Sequence, residues 1–224
     1  SVDGGSLTLG TAPGDVSAFS GAGVTVNAGS LLLNGSTLVS DVVVNGGTLG
    51  GAGTIDGNVN LGAATLAPGL PVGVLTISGD LSLAPSSAIA IDLQGETAGT
   101  GYDVVAVGGT ANLDGTLLVS LSGGYLPAPS ATFDFLTASS FIGSFASSSL
   151  PAGFELASDG TSLGVLSPSV VEPPSSIEEA IATLVDSTNL STVSMDTPNQ
   201  YLADDIPLTP VAADPSLPQD ADAV

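Results

Sequence analysis

The side chains able to do chemistry in this chain are almost all carboxylates. It carries 22 Asp and Glu but no Lys, Arg, His or Cys, for a formal net charge of −22. Ordinary composition would supply roughly 25–30 basic residues at this length, so their absence decides more than any motif. Without His the usual general base is missing, and without Cys or Lys so are two common nucleophiles. No Ser/His/Asp triad is possible, and no zinc site built from His or Cys can form. Carboxylates can bind hard cations, bind protons, or act in pairs on a glycosidic bond.

Each of these was sought by spacing. Gly50-Gly51-Ala52-Gly53-Thr54-Ile55-Asp56 approaches the calcium-binding nonapeptide GGxGxDxUx, but Asp56 stands one position late and the motif has no tandem copy. No EF-hand loop is present. Asp56 with Asp80, or Asp103 with Asp114, would make an acid/base pair if adjacent rungs stacked them. Asp56-Gly57, Gly79-Asp80 and Asp114-Gly115 are equally turn chemistry. Sugar-stacking surface is scarce, since Tyr102 and Tyr125 are the only tyrosines before the tail and Trp is absent. Asp204-Asp205 reads as a solvated acidic pair. The expectation is a non-catalytic protein with no cofactor, apart from loosely held Ca2+ or other counterions.

Charge also bounds the partners. Nothing can grip a phosphate backbone, so nucleic acid is excluded as a ligand. An anionic membrane surface repels the chain. No apolar run reaches the 18 or so residues of a spanning helix. The chain repels itself at neutral pH, and divalent cations, salt or acid should relieve that repulsion.

The elements that position these residues divide near residue 165. All 30 glycines lie at or before Gly164, and eight of the 15 prolines lie at or after Pro168. Residues 1–167 form a Gly-rich body and 168–224 an acidic, Pro-rich tail. Hydrophobic residues are 43% of the chain and mean hydropathy is +0.50, ample for a core. In the body, short alternating runs (Val24/Val26, Val42/Val44, Val59/Leu61, Leu75/Ile77, Leu81/Leu83, Ile89/Ile91/Leu93, Val105/Val107, Leu117/Val119/Leu121) are separated by Gly, Asn and Asp. The units recur about every 16–20 residues. Quasi-repeats with glycine at the corners predict a β-solenoid, in which each rung buries its apolar face only by stacking on the next. A β-sandwich would need longer strands and clearer hairpins. Phe133, Phe135, Phe141, Phe145 and Phe154 gather near the end of the body and predict a broader final rung or a cap that plugs the column, in preference to a binding patch.

Residues 45–69, NGGTLGGAGTIDGNVNLGAATLAPG, resemble the autotransporter-associated β-strand repeat in their GGTLGGxGTI opening and TLAPG close. VGVLTISGDLSLAPSSAIAIDLQG continues the pattern, and the segment from Gly101 to Phe145 is similar to the last rungs of autotransporter-type passengers. The resemblance covers roughly residues 20–166 and concerns the passenger, not its membrane barrel. It implies an all-β, right-handed parallel β-helix on or outside a Gram-negative cell. Such passengers serve as adhesins, matrix components or toxin carriers, so no single activity follows.

In the tail, Ser175 and Glu178 have capping-box spacing. Ile177, Ile181, Leu184 and Val185 mark one face of a short helix near 176–186. Thr192 to Asp196, with Val193 and Met195, reads as a strand. Tyr201, Leu202, Ile206 and Leu208 are spaced among Pro and Asp in an extended stretch. A helix this short is marginal alone, and the extended remainder has little to fold against. Both predict contact with a neighbouring copy of the chain, which makes a homopolymer the expected assembly. The alternative expectation is a monomeric passenger or adhesin at the cell surface.

Overall fold

Alternation with a period of two puts one set of side chains on each side of an extended chain. That alternation organises the computed structural model. Val42 and Val44 are buried while Val43 is exposed, and Ile89, Ile91 and Leu93 are buried while Ala90 and Asp92 between them are half-buried. The structure describes residues 1–10, 19–20, 23–69 and 71–169. The predicted helix near 176–186 and every tail contact residue (Ile177, Ile181, Leu184, Val193, Met195, Tyr201, Leu202, Ile206 and Leu208) lie outside the described residues.

The described residues are all-β, with no helix. The strands are β1 (Val2–Leu9), β2 (Phe19–Ser20), β3 (Val24–Val39), β4 (Val42–Ile55), β5 (Val59–Ala67), β6 (Val74–Ile77), β7 (Leu81–Leu83) and β8 (Ala88–Leu93). They continue as β9 (Val104–Val107), β10 (Thr110–Leu113), β11 (Thr116–Leu121), β12 (Thr132–Thr137), β13 (Ser140–Gly143), β14 (Ser147–Ser149), β15 (Glu155–Ser158) and β16 (Ser162–Leu166). All belong to one curled sheet that is mostly parallel. Among the described residues only β12–β16 and β15–β16 are antiparallel strand pairs. Parallel pairing of consecutive segments rules out the hairpin-built sandwich.

The chain visits three columns of strands in turn. The first holds Val24, Val42, Val59, Leu81, Ala111 and Phe141, each paired in register with the next. The second holds Leu31, Leu49, Leu66, Ile89 and Leu117. The third holds Leu38, Ile55, Ile77 and Val107. Every one of these side chains through Leu117 and Val107 is buried except half-buried Val24. Each column is thus a ladder of branched aliphatics at the ~4.8 Å strand spacing, and each fully buried Val, Leu or Ile contributes about 1.5–3 kcal/mol.

The period is less regular than the sequence suggests. Successive register partners in the first column are 18, 17, 22, 30 and 30 residues apart, from the numbers of Val24, Val42, Val59, Leu81, Ala111 and Phe141. The 16–20 expectation therefore holds only for the first passes. Later passes keep the columns and lengthen the connections before the third one, around Pro71–Gly73, through 94–103 and through 122–131. Strand alternation sets the columns, and the connections add single packed residues to them, such as Tyr102 and Tyr125.

The last passes close the apolar interior with aromatic rings. Phe133 and Phe135 are fully buried, and Phe141, Phe145 and Phe154 pack against the core from partly buried positions. Tyr102 meets Phe133 edge-on at 5.4 Å between centroids, and Phe154 stacks on it at 6.4 Å. The predicted cap is therefore present, and β16 with β15 continues the third column in the antiparallel sense.

Glycine decides whether the first corner can stack. Gly29 and Gly47 sit one above the other with φ of +85° and +87°. A Cβ on Gly47 would be driven into the carbonyl oxygen of Gly29. Gly47→Ala therefore meets both a left-handed backbone and immovable main chain, and should destabilise the protein by about 1–3 kcal/mol. Gly4→Ala, whose Cβ meets nothing within 4 Å, should change stability by under about 0.5 kcal/mol. Urea unfolding of both variants checks the contrast, and equal stability would refute the stacking account.

Candidate functional site

With no cationic side chain available, the carboxylates and carboxamides at the corners take their partners from main-chain N–H groups, hydroxyls and one another. At the corner between the third and first columns these bonds form a ladder across passes. The Asp41 carboxylate accepts from the backbone N–H of Asn58 at 2.7 Å and from its Nδ2 at 3.1 Å. The Asn58 Oδ1 accepts from the backbone N–H of Asp80 at 2.9 Å, and the Asp80 Oδ1 from that of Thr110 at 2.7 Å. The Thr110 and Ser140 hydroxyls then meet at 3.0 Å. A shorter ladder joins Asn45 Nδ2 to Asn27 Oδ1 at 2.8 Å and Asn27 Nδ2 to Asp3 Oδ1 at 2.6 Å. The Asp3 carboxyl is held below its ordinary value, chiefly by the Asn27 bond.

This geometry corrects the pairing expected for Asp56 and Asp80. Ile55 pairs with Ile77, which sets Asp56 against Ser78 and Asn58 against Asp80. Asp56 accepts from Ser78 Oγ at 2.7 Å, and Asp80 is bound to Asn58 and Thr110. The offset arises because Asp opens one turn triplet, Asp56-Gly57-Asn58, and closes the next, Ser78-Gly79-Asp80. Asp103 and Asp114 are also engaged separately, Asp114 accepting from the adjacent Gly115 N–H at 2.8 Å. Among the described residues no three carboxylates converge as a metal cluster would require. Residues 50–55 of the calcium-like motif are part of β4. Gly51 takes φ +83° there, and a Cβ at that position would run into the Leu33 carbonyl oxygen.

Asp103 differs from every other described carboxylate. It is 2% exposed. Its Oδ1 accepts from the Gly73 N–H at 2.9 Å and its Oδ2 from the Asp92 N–H at 3.0 Å. Burial pushes its carboxyl up to about 7, against the two backbone bonds, and the nearby Asp92 charge adds to the rise. Asp92 itself lies at the surface, where Ser120 and Ser122 donate to its Oδ1. In the sequence Asp103 stands out only as half of a possible catalytic pair. No local signal marks its burial, since exposed Asp41 likewise precedes an apolar run and lacks a Gly neighbour.

Outside the corners the described surface carries many hydroxyls beside a few exposed carboxylates such as Asp134 and Glu155. On the outer side of the third column Thr37, Thr54 and Thr76 align in register, with Ala106 and Thr137 beyond them. At the far end the second column finishes in Ser147–Ser149, all exposed, and Ile142 of β13 is 60% exposed. β13 pairs only with β10 and β14 only with β11 among the described strands. At the other end a cavity of about 200 Å³ is lined by Val2, Leu7, Leu9, Val24, Leu31 and Leu38 among others.

The corner ladder predicts that Asn58 cannot become a carboxylate at neutral pH. Asn58→Asp removes the Nδ2 donor and sets a second charge against Asp41. The expected loss at pH 7 is about 1 kcal/mol, shrinking at high salt, which screens the repulsion. Urea titrations at low and high salt measure it. The same loss at both salt concentrations would show that repulsion plays no part.

No protein-family model matches this chain, and no curated protein matches it.

Proposed function

We propose that the chain is a structural subunit of an extracellular filament, sheath or matrix. In this reading the body is a right-handed parallel β-helix, copies of it join end to end, and the tail of each contacts its neighbour. The observation that carries the reading is the pair of strands β13 and β14, each paired on one side only among the described residues, beneath a registered parallel stack. Such edges offer main-chain N–H and C=O groups to a further strand. A stacked aliphatic interior with hydrogen-bonded corners suits a load-bearing element, and the carboxylates at those corners are engaged in holding passes together. The resemblance of residues 45–69 to the autotransporter-associated repeat supports placement at a Gram-negative surface. Calcium enters as a counterion that lowers the repulsion between chains of net charge −22.

The second reading, a monomeric passenger or adhesin, is favoured by the antiparallel β15–β16 pair, which covers the third column at the end where a further copy would stack.

Negative-stain electron microscopy separates the two. At neutral pH with millimolar calcium, the full chain should form filaments of uniform width, and a chain ending at Ser167 should remain dispersed. Dispersed short rods from the full chain would overturn the assembly reading and favour the monomer.

A further inference from the structure

Leu126 is 86% exposed, more than any other large hydrophobic side chain among the described residues. A single exposed leucine is ordinary on a protein surface, but this one is held out on a fastened mount. Ser122 to Tyr125 close a turn through Tyr125 N–H to the Ser122 carbonyl at 3.1 Å, with Gly123 and Gly124 at φ +64° and +74°. Positive φ at both central residues is the type I′ geometry that glycine permits. Tyr125 then packs edge-on against Phe133 at 6.2 Å between centroids. Beyond Leu126, Ala131 N–H reaches the Ala128 carbonyl at 3.2 Å, and the Ser167 hydroxyl donates to the same carbonyl at 2.7 Å. The leucine stands between two closed turns, so little backbone freedom is lost when it is covered.

At the other end of the stack is an apolar hole. The cavity of about 200 Å³ is walled by Val2, Leu7 and Leu9 of β1 and by Val24, Leu31 and Leu38 of β3, and Leu7 is 42% exposed. An apolar cavity of roughly 150 Å³ admits a benzene-sized guest, so this one has room for a leucine side chain.

We propose that Leu126 of one copy seats in the cavity between β1 and β3 of the next, as a knob-in-hole contact that joins the bodies. The inference rests on the assembly reading above and names a contact within it.

Charge favours this pairing over others. On a chain of net charge −22, copies approach most readily where acids are absent. Residues 115–133, which include the whole 122–131 connection, carry no acidic side chain, and neither do the residues lining the cavity. Both surfaces are apolar, so association removes them from water without stranding a charge. Position adds to this. The knob precedes β12 and the hole lies among the first two passes, so the contact is heterologous and each copy keeps one knob and one hole to pass it on. The antiparallel β15–β16 pair covers the third column near the knob, and a side-chain contact joins copies without stacking strands across that pair.

The chain has no Cys, so introduced thiols read the contact. Ala128→Cys places one beside the knob, and Ser1→Cys places one on the cavity lining. The two full-length variants are mixed in millimolar calcium with oxidised glutathione. Disulfide dimers joining the two variants should form, and adding Leu126→Ser to the Ala128→Cys chain should lower their yield about tenfold, the worth of one buried leucine. Because Leu126 is exposed, that change should leave the urea midpoint where it was. An unchanged yield would overturn the proposal. So would dimers of Ser1→Cys with itself in place of mixed ones, which would mean that like ends pair. No dimers in any mixture would also overturn it, since the cavity would then be covered by the chain's own residues. Electron microscopy separates this from the assembly reading. Filaments that persist in Leu126→Ser would remove the knob and leave assembly standing. Leu126-dependent mixed dimers from a chain that forms no filaments would keep the contact and remove the filament.

Discussion

A chain without a single cationic side chain must satisfy every buried or half-buried anion by hydrogen bonding or protonation. That constraint reaches into most polar features of this structure. Asp41, Asn58 and Asp80 each accept a main-chain N–H from the following pass or stack element, so one group per corner meets both a local need and an inter-pass need. Exposed acids with no such donor remain hydrated. Asp159 shows the local version, accepting from the N–H groups of Thr161 and Ser162 within one turn, which holds its carboxyl below the ordinary value.

Inside these corners the aliphatic ladders do the other half of the work. A strand of three or four residues such as Leu81–Leu83 has no independent stability. It persists because Leu81 and Leu83 lie in register between Val59 and Leu61 on one side and the next pass on the other. Close stacking in turn demands backbone approach at the corners, which is why glycine stands at Gly29, Gly47 and Gly51 where any Cβ would meet a carbonyl of the previous pass. Apolar registry and glycine corners are two consequences of the same ~4.8 Å spacing.

The proposed role draws on the same physics. A stack whose strength lies in repeated main-chain pairing can be extended by another strand without new chemistry. The net charge opposes that extension, so cation concentration and acidity become natural controls over it.

The sequence by itself determined the all-β class, the strand positions and the absence of His-, Cys- or Lys-based chemistry, because alternation, glycine spacing and composition are local properties. Val42/Val44, Leu75/Ile77 and Ile89/Ile91/Leu93 were legible as buried faces, and the phenylalanine group as a closing cap. Only the tertiary structure decided which residues meet across passes. Connections of different length move the register from 17 to 30 residues, so no fixed repeat could show that Asp80 stands over Asn58 instead of Asp56. Nor could it show that Asp103 is enclosed: burial is set by what packs around a residue, here Gly73 and the end of β8, brought together from two successive passes by pairing that the local sequence does not encode.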